Sequence, residues 1–387
     1  MRIMRTEKLV LGHVLARPVL DPYGNDMLAQ GTVLTRERIE QLRQQGYQHA
    51  FVGDPQSSVQ VRYEDTVDPA TYSRALGRVS RGMEELAEEL AALRGGTFEE
   101  MIKAVPSASI RAVLSGDGAL GRIGEAAGLI LEALRGRSTL ASFPVIRTRE
   151  TRLYQHSLNT CIISCLIGRS AKLGDETLER VACGGLLHDI GMVIVEDSDD
   201  EMTRIRQHTL LGYELLKNFA DVDTLVTYAA LEHHEHQDGT GLPRGLIGGN
   251  RIRRNRMLPP PVPTLIGEIV AVANSFETLV ASDGFSPPLP AEAALKNIAS
   301  RAGTHFNREV VDRFLAVTPM YPKGTEVVIT NGAFRGHGGT VVDLPEESPN
   351  RPEVAIYQDD KGKLIEPFIL NLVERPDVEI RSRGVGG

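Results

Sequence analysis

The stretch Leu186-Leu187-His188-Asp189-Ile190-Gly191 decides how the rest of the chain is read. Small and apolar residues run up to a histidine with an aspartate beside it, so an imidazole nitrogen and a carboxylate oxygen leave the backbone at adjacent positions. Such a dipeptide alone is common. Here it stands in a series, with His156 upstream and His208 and His233-His234-Glu235 downstream. Ten histidines in 387 residues is ordinary, but six of them fall between His156 and His236, and that clustering requires a cause.

Working outward, residues 147–320 read as nearly all helix. Leu158, Cys161, Ile162, Cys165 and Leu166 follow helical spacing and predict a helix with His156 at its start. Further helices are predicted over 181–190, 202–219 bearing His208, 225–234, 264–281, 291–302 and 309–317. Four of these helices each bring one or two nitrogen or oxygen ligands, which a bundle can aim at one point. Imidazole with carboxylate suits iron, manganese or zinc rather than calcium. Two neighbouring ions activate a water for attack on phosphorus and hold the phosphoryl oxygens as charge builds. Asp189 is placed to bridge such a pair, and His188 with Asp189 forms the expected catalytic core. One helical histidine is more often bonded to a carbonyl or a water; two adjacent pairs in one set point instead to metal-dependent hydrolysis of a phosphate ester.

The flanks differ in pattern. Residues 1–55 read as a small α/β unit, with extended runs at Leu9-Val10-Leu11-Gly12 and Val14-Leu15, a helix after Thr35, and a strand at Phe51-Val52. Residues 56–146 read as a helical connector. One stripe runs Val79, Met83, Leu86, Leu90, Leu93 and a second Leu120, Ile123, Ala127, Ile130, Leu131, Leu134; they either pack on the next domain or form a homodimer surface. From 321 to 387, runs such as Val327-Val328-Ile329 and Val354-Ala355-Ile356-Tyr357, separated by turn signals, predict a small β-rich domain with a loose tail from Arg381. The fold class is mainly α: an all-helical bundle between two small β-containing units.

A net charge of −8 excludes general nucleic-acid binding, which needs a basic footprint. No apolar run approaches the roughly 20 residues needed to span a bilayer, and the N-terminus lacks a signal-peptide core. Cys161, Cys165 and Cys183 are odd in number and are read as core thiols, which places the chain in the cytoplasm.

His156-Ser157, His188-Asp189-Ile190-Gly191, Ile205-Arg206-Gln207-His208, His233-His234-Glu235-His236-Gln237-Asp238-Gly239-Thr240-Gly241-Leu242-Pro243, the helix through Asn274 and Thr304-His305-Phe306 occur in an order that resembles the HD-GYP subgroup of the HD phosphohydrolases. The resemblance covers most of the chain and is weakest in the connector. It implies a bacterial phosphodiesterase that opens cyclic di-GMP to pGpG or GMP on two divalent ions, iron or manganese first and zinc next, with no organic cofactor. It implies metal positions at His156, His188, Asp189, His208, His233, His234 and Asn274. Glu235 and Asp238 would hold ligands and loop in place, Gly239 and Gly241 would permit a tight loop, and Pro243 would stiffen it.

Several positions depart from the family pattern. Asn274 replaces an aspartate and Arg152 replaces the glutamate of trinuclear members, so a third metal is not expected. Met192 stands for a phosphate-holding lysine, Leu242 for the tyrosine of the GYP triplet, and Gly284-Phe285-Ser286-Pro287-Pro288 for basic residues that grip phosphate. Glu196, Asp197, Asp199, Asp200 and Glu201 read as a solvated acidic loop. A longer stretch after Pro243 carries Arg244, Arg251, Arg253, Arg254 and Arg256, whose guanidinium groups suit phosphate and are candidate substrate contacts. The alternative to an enzyme is a degenerate, non-catalytic signalling module that binds cyclic di-GMP or a partner protein; hydrolysis of another phosphate ester is a third reading.

Overall fold

Among the described residues, three separate apolar cores organise the chain. The structure is a computed structural model and describes residues 2–47, 49–53, 65–107, 118–141, 152–195, 200–219, 222–252, 261–281, 288–345 and 348–383.

The first core belongs to the N-terminal unit. β1 (Arg2–Arg5) lies antiparallel to β4 (His49–Val52), and β2 (Val19–Leu20) to β3 (Asp26–Leu28). Helix α1 (Arg36–Gln44) buries Ile39 and Leu42 against Leu15, Leu34 and Tyr47, and Thr35 caps it by accepting from the Arg38 amide. Residues 9–12 form no strand, and Leu11 and Gly12 turn instead of extending. Gly12 adopts a positive φ of 87°, open only to residues without a Cβ penalty, and Val10 and Leu11 stay exposed.

Helices α2 (Pro69–Glu89), α3 (Phe98–Ala104) and α4 (Ala119–Ala133) follow. Asp68 accepts from the Thr71 amide at the start of α2, with Pro69 at the first helical position, where its missing N–H costs nothing. The stripe from Val79 to Leu93 is buried, as are Ile123, Ala127, Ile130 and Leu134 of α4. These side chains share one continuous core with the helices that follow, so the stripes pack on the next domain. On α2, Glu88 and Glu89 are exposed, while Glu85 makes a two-pronged pair with Arg122 on α4.

The central bundle consists of α5 (Arg152–Ser170), α6 (Asp175–Leu187), a 3-10 turn (Ile190–Val193), α7 (Glu201–Leu216), α8 (Thr224–Glu232), α9 (Leu265–Val280), α10 (Ala291–Ser300) and α11 (Arg308–Val317). The helix expected to run through 190 stops at Leu187, so His188 and Asp189 sit at its junction with the 3-10 turn. Gly191 allows α7 to cross that turn at backbone distance. A Cβ there would lie 2.1 Å from the His208 carbonyl oxygen and 2.8 Å from the Gly212 nitrogen. Cys161 and Cys165 are buried and Cys183 is half-buried; contact with Cys165 and burial hold the Cys161 thiol well above its usual range.

The third core lies inside a five-stranded antiparallel sheet. Its strands are β5 (Glu326–Ile329), β6 (Gly338–Asp343), β7 (Glu353–Gln358), β8 (Leu364–Asn371) and β9 (Ile380–Ser382), in the order β8-β7-β6-β5-β9. The expected loose tail is thus partly a strand: Arg381 pairs with Val328, and Ser382 donates to Glu292 on α10 from its amide at 3.0 Å. Three residues are too few to show alternation in the sequence. The chain is mainly α, an all-helical bundle with small β-containing units on both sides. Among the described residues, no helix is long and apolar enough to cross a membrane.

Candidate metal centre

Four helices deliver the ligating side chains. His156 lies in the second turn of α5, His188 caps the C-terminus of α6 with Asp189 next, His208 is in the middle of α7, and His233 caps α8 with His234 following. Their atoms form two groups, His156, His188 and Asp189 in one and His208, His233 and His234 in the other, each with ligand atoms within 4.8 Å of one another. Asp189 lies between them. Its Oδ2 is 3.6 Å from His156 Nε2 and 3.5 Å from His188 Nε2, and its Oδ1 is 3.4 Å from both His208 Nε2 and His233 Nε2.

The outer hydrogen bonds fix which nitrogen of each ring is protonated. His188 Nδ1 is 2.9 Å from the Gly185 carbonyl oxygen, and His208 Nδ1 is 2.8 Å from that of Arg204. His233 Nδ1 is 3.1 Å from the carbonyls of Ala229 and Ala230, and His156 Nδ1 is 2.6 Å from Glu277 Oε2. Carbonyl and carboxylate oxygens only accept, so each Nδ1 carries the proton and each Nε2 presents a lone pair. Those lone pairs face each other, at 3.2 Å between His156 and His188 and 3.3 Å between His208 and His233. Two buried lone pairs at that distance repel unless a proton or a cation lies between them. The donor set therefore fits divalent metal: imidazole nitrogens, a shared carboxylate and oriented rings.

The electrostatics favour the same protonation states. Burial pushes His188 down to about 4 and also lowers His208 and His234, so these rings stay neutral and able to ligate near neutral pH. Burial alone would raise the Asp189 carboxyl, but His188, His233 and His208 around it outweigh this and hold it well below the usual carboxylate range.

The other expected positions divide. Asn274 is buried on α9, and its Oδ1 accepts from the Thr278 hydroxyl at 3.4 Å. Glu235 ties down the following loop by accepting from the amides of Arg244 at 2.6 Å and Leu246 at 2.7 Å. Asp238 accepts from the amide and hydroxyl of Thr240, Gly239 takes a positive φ of 82°, and a Cβ on Gly241 would fall 2.1 Å from the His236 nitrogen. Leu242 is buried, precedes a cis bond to Pro243, and donates its amide to the His234 carbonyl at 2.9 Å, which joins the loop to a ligand. Met192 lies half-buried in the 3-10 turn and Arg152 at the first position of α5.

Of the arginines expected to hold substrate, Arg244 pairs with buried Glu232 at 2.8 Å and so anchors the base of the loop. Arg251 is exposed. Arg253, Arg254 and Arg256 lie outside the described residues, as do Glu196, Asp197, Asp199 and positions 284–287. Asp200 caps α7 through the Thr203 amide, and Glu201 follows in its first turn.

Sequence reasoning missed Glu277, which is almost fully buried, binds His156 Nδ1 through one oxygen, and accepts from Asn159 Nδ2 at 3.0 Å through the other. The signal was a carboxylate three residues after Asn274, on the same face of a mostly apolar helix. It also missed the buried Gln237, Glu268 and Asn307, which hydrogen-bond in series beneath the loop. Glu277→Gln keeps an acceptor but removes the charge opposite His156. Metal affinity is expected to fall about 10–100-fold with the fold intact. A manganese titration of the chelator-treated variant checks this, and unchanged affinity would count against the assignment.

A family model described as HD domain matches residues 153–279. The chain is 27% identical over 240 residues to a cyclic di-GMP phosphodiesterase of Pseudomonas aeruginosa, covering 60% of this chain and 54% of that one. It is 28% identical over 203 residues to a cyclic di-GMP phosphodiesterase of Thermotoga maritima, covering 49% and 52%. A cyclic di-GMP phosphodiesterase response regulator of Xanthomonas campestris is 30% identical over 166 residues, 40% of each chain. The matched span, residues 153–279, contains His156, His188, Asp189, His208, His233 and His234. The chain spans about half the length, or less, of these relatives.

Proposed function

We propose that the chain is a metal-dependent phosphodiesterase that hydrolyses cyclic di-GMP to pGpG or GMP. The observation that carries the reading is the convergence of His156, His188, His208, His233 and His234 on Asp189 in two adjoining groups. His156, His188 and Asp189 would hold one divalent ion, and His208, His233 and His234 the other, with Asp189 shared between them; iron or manganese suits the mixed nitrogen and oxygen donors best, and zinc next. Bound there, such a pair lowers the pKa of a water and neutralises charge building on a phosphoryl oxygen. The protein's own part is orientation. Carbonyls and Glu277 hold the rings with lone pairs inward, and the loop from Glu235 to Leu246 fixes His234 from behind. Phosphate contacts are assigned to Arg251 and to Arg253 and Arg254, while Arg244 is assigned to the loop.

The same proposal extends to organisation. Separate apolar cores support independent units at 1–55 and 321–387, whereas the connector helices belong with the central domain, whose core they share. A cytoplasmic location fits three unpaired thiols.

The test is anaerobic purification, a count of iron, manganese and zinc per chain, and chromatography of cyclic di-GMP after incubation. About two equivalents with turnover is the expected result. Bound nucleotide without turnover in the metal-loaded protein would overturn the hydrolase reading in favour of a non-catalytic module. Asn274→Asp puts an anion at the position where the family resemblance expects a metal ligand and is expected to tighten metal binding by about tenfold or more; no change in a manganese titration would remove Asn274 from the ligand set.

A further inference from the structure

His156 is held by a chain of hydrogen bonds that begins outside the HD domain. Tyr72, in the first turn of α2, donates its hydroxyl to Asn159 Oδ1 at 3.0 Å. Asn159 donates from Nδ2 to Glu277 Oε1 at 3.0 Å, and Glu277 Oε2 accepts from His156 Nδ1 at 2.6 Å. All four residues are buried. Each link sets the polarity of the next. A phenol facing an amide oxygen leaves the amide nitrogen to point at the carboxylate, and the carboxylate then keeps the proton on Nδ1 and the lone pair on Nε2.

Helix α2 is also where the N-terminal unit rests. The turn between β2 and β3 meets it without intervening side chains: a Cβ on Gly24 would lie 2.2 Å from the Ser73 carbonyl oxygen, and one on Gly77 would lie 2.4 Å from the Tyr23 carbonyl oxygen. Ser80 donates to the Pro22 carbonyl beside them. Ser73 is the neighbour of Tyr72. Beyond the far end of α2, Arg94 grips the Val193 carbonyl with Nε at 3.2 Å and Nη2 at 3.0 Å, four residues after Asp189. The connector thus holds the His156, His188 and Asp189 group at two points and carries the N-terminal unit in between.

We propose that Tyr72 is a positioning residue for His156, acting through Asn159 and Glu277, and that it couples the seating of the N-terminal unit on α2 to the strength of metal binding at that group. A shift of α2 breaks the phenol–amide link, frees the Asn159 amide to turn, and loosens the ring that Glu277 orients. The inference rests on reading the centre as a metal site.

The test uses the full chain stripped with chelator. Manganese affinity is measured by calorimetry, and cobalt(II) is added as a ligand-field probe whose visible spectrum reports imidazole geometry. Tyr72→Phe retains the ring and its packing. It is expected to weaken one of the manganese equivalents on the order of threefold to tenfold and to shift the cobalt spectrum. Tyr321→Phe removes a comparable buried phenol from the C-terminal core, where it donates to the Ile380 carbonyl, and is expected to change neither readout. Gly77→Ala, which forces the β2–β3 turn off α2, is expected to weaken the same equivalent. Wild-type protein that takes up no manganese would overturn both this inference and the metal reading. Wild-type protein that binds it, with Tyr72→Phe unchanged or Tyr321→Phe equally weakened, would overturn this inference alone. An unchanged Gly77→Ala would overturn the link to the N-terminal unit.

Discussion

Asp189→Ala is expected to abolish metal binding at the proposed centre while the chain stays folded. Asp189 supplies the anionic oxygens within 3.4–3.6 Å of four imidazole nitrogens. Without it the centre is lined by neutral rings, and the repulsion between two dications is no longer screened by a shared carboxylate. The proposed hydrolysis of cyclic di-GMP is expected to fall about a thousandfold or more, roughly 4 kcal/mol of barrier. The rise in melting temperature that metal gives the wild-type protein should vanish with it. Metal counting and a melting scan with and without manganese check both parts. A variant that still carries two equivalents would show that Asp189 does not bridge.

Acid is the second large lever. In the metal-free protein, His188 titrates near 4 rather than near its ordinary 6.5, because burial disfavours the charged ring, and His208 and His234 are lowered for the same reason. Between about pH 6.5 and 4 the unfolded chain therefore binds protons that the folded chain refuses, and stability falls as pH falls through that window. His188 alone accounts for about 3 kcal/mol. Asp189 does not offset this loss. Its carboxyl is depressed when folded, so its contribution persists above the ordinary 3.8 and disappears only below it. Urea midpoints of the metal-free chain at pH 7, 6, 5 and 4 should decline steadily. A flat profile would mean that the rings are not buried as neutral groups.

Much of this was legible in the residues. The helices follow apolar spacing, and Thr35 marks one of their starts because its side-chain oxygen meets an otherwise unpaired amide, whereas Asp200, read as part of an acidic loop, caps α7 in the same way. The histidines stood out because six of ten fall in one region and two of them adjoin. The rest depended on facts that a linear pattern does not carry. Glu277 looks like one more charge on a helix until α9 packs against α5 and the carboxylate meets His156. Tyr72 and Asn159 are 87 residues apart, and nothing local marks either as a partner. The connector stripes showed which faces were apolar but not what covers them; the bundle does. Arg244 was grouped with other arginines by composition, whereas the fold sets it against Glu232.

The contact of Gly191 with the His208 carbonyl and Gly212 has a consequence for how such a protein can change. Between the turn that carries His188 and Asp189 and the helix that carries His208, the approach is main chain against main chain, with no side chain to trim or enlarge. Substitutions elsewhere in the interior can loosen the bundle or stiffen it, yet they leave that approach untouched. A descendant can alter the donors on either side, but a Cβ at Gly191 would push the His208 helix away from the turn that carries Asp189.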